Sequence, residues 1–186
     1  MTEIDKQIET MKQSKPTPKE AEKYAADFKH LANRRLDTLN KLRSKFGIKV
    51  DAKDCPDPLF SFPQIARYFN ESKYLLKTIK SCGYKKPTPV QMQAMPIIKE
   101  KRSAIILAET GSGKSMAFAV PLLEMIKRGD GLRAVVLAPT RELTIQLYKE
   151  FLIMSEQQIS KAPRVKFLTK HMLPKDEAGL KKFLAG

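Results

Sequence analysis

Eight consecutive residues, Ala108-Glu109-Thr110-Gly111-Ser112-Gly113-Lys114-Ser115, restrict this chain more than any other stretch. The apolar run Ala104-Ile105-Ile106-Leu107 stands in front of them, and Met116-Ala117-Phe118-Ala119-Val120 opens a helical pattern behind. Strand, small-residue loop ending in Gly-Lys-Ser, then helix is the context in which backbone amides cradle phosphate. Gly111 and Gly113 allow successive N–H groups to point inward, where a β-carbon would obstruct the approach. The unpaired amides and positive dipole end of the following helix favour the same anion. Lys114 is the residue to reach β- and γ-phosphates, and the Ser115 hydroxyl is the one to hold Mg²⁺. Ala108 departs from the general pattern, which has glycine there.

The chain of 186 residues is about one domain long, and 42% hydrophobic residues can supply a core. Its 12 prolines and 8 glycines are too few to indicate a disordered chain. No apolar run approaches the roughly 20 residues of a membrane span, and no signal-peptide pattern follows Met1. Cys55 and Cys82 lack metal or redox spacing with each other or with His30 and His171, and read as structural thiols. A net charge of +15 points to a phosphate-rich partner, with nucleic acid the leading candidate.

Residues 1–15 are polar and mixed in charge, and read as frayed. From Lys19 to about Phe46, apolar Tyr24, Phe28, Leu31, Leu39, Leu42 and Phe46 form one stripe of an amphipathic helix, with Gly47 as its C-cap. That helix could dock RNA or a partner, or lie on its own domain. Lys53 to Pro63, with Pro56, Pro58 and Pro63, reads as an extended linker. A short helix is expected over 72–81, where Tyr74, Leu75, Leu76 and Ile79 share a face and Gly83 ends it. Another helix is expected over 91–99, after a turn at Pro87 and Pro89. Gly129 and Gly131 mark a turn. The continuous apolar run of 133–137 reads as a second buried strand, and 165–168 as a third. A helix from Pro139-Thr140 to about Ser155 lies between them. Strands alternating with helices predict an α/β class with a parallel sheet, binding its ligands at the carboxyl ends of the strands.

Three segments carry a resemblance. Gly83-Tyr84-Lys85-Lys86-Pro87-Thr88-Pro89-Val90-Gln91 resembles the Q motif of DEAD-box RNA helicases, Ala108–Ser115 their motif I, and Pro139-Thr140-Arg141-Glu142-Leu143 their motif Ia. They occur in the family's order, and Ala108 is the family's own variant. The resemblance implies a partial RecA-like domain binding ATP and Mg²⁺. In it Gln91 reads adenine, an upstream aromatic stacks on the base, and Pro139, Thr140 and Arg141 grip the RNA backbone. An amide suits adenine because it donates and accepts at once, and backbone contacts carry no base sequence. Phe62 is the candidate aromatic, with Phe60 or Phe69 as alternatives. The expected nucleotide site is thus Phe62, Tyr84, Gln91, Glu109, Thr110, Gly111, Ser112, Gly113, Lys114 and Ser115, with Mg²⁺ on Ser115 through ATP. Asp57-Pro58, the long spacing from Phe62 to Gly83, and Pro89–Pro96 are similar to a nucleolar subgroup acting in pre-rRNA processing and small-ribosomal-subunit assembly.

The resemblance covers roughly residues 49–186 and implies a Q-motif region over 60–91 and an incomplete ATP-binding domain over 92–186. The residue pattern itself adds a helical extension over 1–48 and a proline-containing linker over 49–63. No Asp-Glu-Ala-Asp motif occurs. Asp176-Glu177-Ala178-Gly179 follows Pro174-Lys175 instead of a strand and reads as a helix start, so no catalytic carboxylate is expected in this chain. The expectation is an ATP-dependent RNA helicase, here incomplete, monomeric, away from membranes, with RNA and ribosome-assembly proteins as partners. The alternative is a non-catalytic product serving as an RNA- or protein-binding module. Without the strands of the missing motifs, unpaired edges and exposed apolar faces are expected.

Overall fold

The computed structural model describes residues 3–13, 18–52, 54–69, 73–126, 132–155, 165–168, 176, 178–179 and 181–182, with the backbone alone at 18–24 and 73–75. The expected turn at Gly129 and Gly131, most of the tail from Lys170, and the side chains of Tyr24, Tyr74 and Leu75 lie outside that set. Two compact units divide at Lys53 and Asp54.

The first unit contains α1 (Glu3–Gln13) and α2 (Pro18–Lys45). The polar start of the chain is therefore helical, not frayed. Ile4, Ile8 and Met11 recur at helical spacing and are half-buried, α1 packs along α2, and Arg35 Nε donates to Asp5 Oδ1 at 2.6 Å. The support comes from 30 residues away, which a local reading misses. α2 ends as expected at Gly47, whose φ of 67° permits Gly47 N–H to bond Ser44 O at 3.0 Å and Ile48 N–H to bond Arg43 O at 2.9 Å.

The second unit contains α3 (Phe62–Tyr68), α4 (Lys73–Ser81), α5 (Pro89–Lys99), α6 (Lys114–Met125) and α7 (Arg141–Ser155). α3 begins inside the stretch expected to be a linker. Ser61 and Gln64 cap it reciprocally, Gln64 N–H to Ser61 Oγ at 3.3 Å and Ser61 N–H to Gln64 Oε1 at 3.1 Å. α4 stops at Gly83 (φ 76°) with the same two-bond closure that ends α2. α5 packs on α6, α3 on α4 and α5, and α6 on α7. Phe62, Ile65, Phe69, Ile79, Met95, Met116, Val120, Leu123, Phe151 and Met154 form the core. α6 is buried along most of its length, which is why its pattern is apolar all round instead of striped.

Among the described residues no strand forms, which corrects the three strands expected from the apolar runs. Residues 103–108, 132–137 and 165–168 have no regular secondary structure, and Ile105 and Leu107 are 93% and 92% exposed. The physical reason is that a strand exists through its partners: its N–H and C=O groups need a neighbouring ladder. The apolar composition is present without that ladder, so the surface a sheet would cover faces outward.

Candidate nucleotide-binding site

The loop before α6 has the backbone that its glycines predict. Gly111 has φ 77° and Gly113, the N-cap of α6, has φ 87°, both in the left-handed region. Ser112 N–H turns back to Glu109 O at 3.3 Å. The first amides of α6, from Lys114 onward, have no acceptor within the helix and are available to an anion. Lys114 Nζ donates to Ala108 O at 2.5 Å and also to Glu109 O, so its ammonium lies across the loop's own carbonyls. Glu109, Thr110 and Gly111 are exposed; Ser112, Lys114 and Ser115 are half-buried.

Gln91 joins this loop to α5. It is fully buried, its Nε2 donates to Gly113 O at 3.2 Å and lies 3.5 Å from Met116 Sδ, and its Oε1 accepts from Thr88 N–H at 3.1 Å. Gly113 O also receives Ala117 N–H at 3.1 Å, the first bond of α6. A β-carbon on Gly113 would collide with the Gln91 amide and sit 3.4 Å from Thr88 Oγ1. Two of the three motif segments therefore meet at one contact. Thr88 is a site residue that the sequence reading did not single out, although Thr88-Pro89-Val90-Gln91 has the spacing of a helix-capping box. Thr88 Oγ1 and Ser112 Oγ are both buried without a hydrogen-bond partner. Together the left-handed glycines, the helix amides, the lysine and these hydroxyls fit a phosphate group.

The aromatic candidates separate clearly. Phe62 is 5% exposed and part of the apolar core, so its ring offers no face to a base; the capped start of α3 turns it inward. Phe69 is buried too, with Lys99 Nζ 5.3 Å from its ring centroid. Phe60 keeps a partly exposed ring, and its N–H is held by Gln64 Oε1 at 2.8 Å. Tyr84 is 40% exposed; partial burial pushes its phenol up, with Cys82 and Glu150 adding to the effect.

Pro139, Thr140 and Arg141 are all exposed where α7 begins. Thr140 Oγ1 accepts Leu143 N–H at 3.2 Å, and Thr140 O accepts Thr144 N–H at 3.1 Å and Thr144 Oγ1 at 2.8 Å. The threonine thus caps the helix and keeps its own O–H to donate, and exposed Arg141 follows it in sequence. Asp176 Oδ2 accepts Gly179 N–H at 2.8 Å, the geometry of a helix start, as its sequence context suggests. No cluster of three or more metal-ligating side chains occurs among the described residues. No described helix is long and apolar enough to cross a membrane.

Residues 88–182 match the family model of the DEAD/DEAH box helicases, and this span takes in Gln91, the phosphate loop and the start of α7. The chain belongs to that family. It is 44% identical over 116 residues to "Probable ATP-dependent RNA helicase ddx52" of Dictyostelium discoideum, covering 61% of this chain and 17% of that protein. It is 37% identical over 151 residues to "Probable ATP-dependent RNA helicase DDX52" of Rattus norvegicus, covering 80% of this chain and 25% of that one. The DEAD/DEAH box chain thus spans a quarter or less of the length of these relatives. Among solved structures it is similar to the RNA helicase Prp28 of Chaetomium thermophilum bound to ADP. There the TM-score is 0.56 and the identity 34%, over 63% of this chain and 29% of that chain.

Proposed function

We propose that this chain carries the ATP-binding and RNA-backbone-contacting part of an ATP-dependent RNA helicase that acts on pre-rRNA during small-subunit assembly in the nucleolus. The observation that carries the reading is the contact of Gln91 with Gly113, which ties an adenine-reading type of residue to a phosphate-cradling loop. The amides of the first turn of α6 and Lys114 would hold the phosphates, and Ser115 would supply an oxygen to Mg²⁺. Bound ATP supplies the free energy that its hydrolysis releases. Lys114 must first leave the carbonyls of Ala108 and Glu109, so phosphate competes with the loop itself for this cation. Gln91 is fully buried here, so a base would reach its Nε2 only as the cover over α5 opens. The base nitrogen would then replace the weak Met116 sulfur contact and leave the bond to Gly113 intact. In the longer relatives the runs at 103–108 and 132–137 would join a RecA-like parallel sheet, placing Thr140 and Arg141 beside the nucleotide for contact with RNA phosphates.

Titration of the chain with ADP and GDP in the presence of Mg²⁺ tests this. Adenine preference is expected, lost in Gln91→Ala, with affinity falling about tenfold or more in Lys114→Ala as charge-assisted bonds to phosphate go. Equal affinity for the two nucleotides would overturn the reading of Gln91. The 186 residues include no carboxylate motif, so RNA-stimulated phosphate release from this chain is expected to be nil. Release that depends on Lys114 would show that another carboxylate does the work.

A further inference from the structure

α5 is held on two sides by two glutamines. Gln91 and Gln93 lie two residues apart, hence about 200° apart around a helix of 3.6 residues per turn. Gln91 faces the phosphate loop. Gln93, also buried, faces the segment before α3, where its Nε2 donates to Pro56 O at 2.8 Å and lies 3.2 Å from Cys55 Sγ. A second bond fixes the same segment: Leu59 N–H donates to Met92 O at 2.9 Å. That carbonyl needs an outside donor because Pro96, four residues on, has no N–H to give it. The proline-rich stretch at 55–59 is therefore fastened along α5, not loose.

We propose that residues 55–59 form a strap that sets the phosphate loop through α5, with Gln93 as the positioning residue. The nucleotide arm of this proposal rests on the function proposed above. If the strap leaves, Gln93 Nε2 and Met92 O lose partners in buried positions, a cost that α5 relieves by shifting toward water. Such a shift carries Gln91 with it. Gln91 and Gly113 have no slack between them, as the collision of a β-carbon there shows, so the loop must respond. The strap begins directly after the boundary at Lys53 and Asp54.

The test uses the 186-residue chain in two forms. One is Gln93→Leu, which keeps the volume and removes both donors. The other is a Cys82→Ser chain alkylated at half-exposed Cys55 after folding, which wedges the strap. Since Cys82 packs against the core, its reference is the same Cys82→Ser chain left unalkylated. Amide hydrogen exchange at 111–116 without nucleotide, and ADP affinity, are the two readouts. Exchange at the loop is expected to rise about three- to tenfold in both forms, with no change around Leu147–Phe151 in α7, and ADP affinity to fall by a similar factor. The loss of affinity should vanish in a Gln91→Ala background, where the link is already cut. Unchanged loop exchange in both forms overturns the strap, as does an equal rise at the loop and in α7, which would be general loosening. If the unaltered chain binds no ADP, the nucleotide reading fails while exchange still decides the strap.

Discussion

The side-chain amide of Gln91 occupies the place that a β-carbon on Gly113 would need. The two glycines of the loop are therefore not equivalent. At Gly111 an added β-carbon meets nothing within 4 Å, so Gly111→Ala suffers from its φ of 77° alone, about 1–2 kcal/mol. Gly113→Ala suffers that strain and also displaces Gln91, and is expected to be the more destabilised of the two. In Gln91→Ala the steric part disappears and the backbone part stays. Denaturant midpoints of the two alanine variants in both backgrounds check this; equal losses at the two glycines would show that Gln91 yields freely.

Lys101 has φ 57° at the end of α5, the position where α2 and α4 each have glycine. Its N–H bonds Ile98 O at 2.9 Å, and Arg102 N–H bonds Ile97 O at 3.1 Å, so the helix closes as the other two do. Lys101→Gly removes the left-handed penalty and adds freedom to the unfolded chain. A net gain of about 0.5–1 kcal/mol is expected, seen as a higher urea midpoint at unchanged slope. A loss would mean that the lysine side chain makes a contact worth more than the strain.

What was legible in the sequence was what nearest neighbours decide. Gly47 and Gly83 announced helix ends because only local backbone geometry is involved. Gly111, Gly113 and Lys114 announced a loop for the same reason. Helix α1 was not legible, because what holds it lies on α2: the packing of Ile4, Ile8 and Met11 along that helix, with the Asp5–Arg35 pair as a small addition. The runs at 103–108 and 132–137 have strand composition, yet composition does not supply the neighbouring ladder that makes a strand. Phe62 looked like a base-stacking ring because it stands upstream of the Gly83–Gln91 segment. Its burial depends on how α3 meets the other helices, and spacing does not encode that. Gln93 and the strap escaped for a similar reason: nothing at Gln93 itself reveals that Pro96 leaves Met92 O open to Leu59.

Tyr68 gives a pH dependence with a definite sign. Its hydroxyl donates to Glu100 Oε1 at 2.7 Å, and its pKa is pushed up from 10.0 to about 12, first by burial, then by that bond and the charge of Glu100. The folded state thus favours the protonated phenol. Its share of stability is complete below pH 10 and is lost as pH rises from 10 through 12. In an ultraviolet titration the last tyrosine to ionise is expected to vanish in Tyr68→Phe. The variant should also show a shallower fall in stability across that interval. A late-ionising tyrosine that persists in Tyr68→Phe would place the effect elsewhere.

Two leucines separate the formed core from the unformed sheet. Leu123 is 3% exposed inside the helical core, and Leu107 is 92% exposed in the run before the phosphate loop. Leu123→Ala is expected to cost about 2–5 kcal/mol, because it removes packed atoms and leaves a cavity. Leu107→Lys touches no packed neighbour and is expected to change stability by less than about 0.5 kcal/mol. Its effect should appear in solution behaviour instead, since Ile105 and Leu107 with the exposed Val135 and Leu137 offer apolar surface to other molecules. Sedimentation of the unaltered chain should show self-association that weakens in Leu107→Lys while the melting curve stays in place. A melting curve that collapses in Leu107→Lys would mean that this leucine is covered in solution, and that the run has found the partner a strand requires.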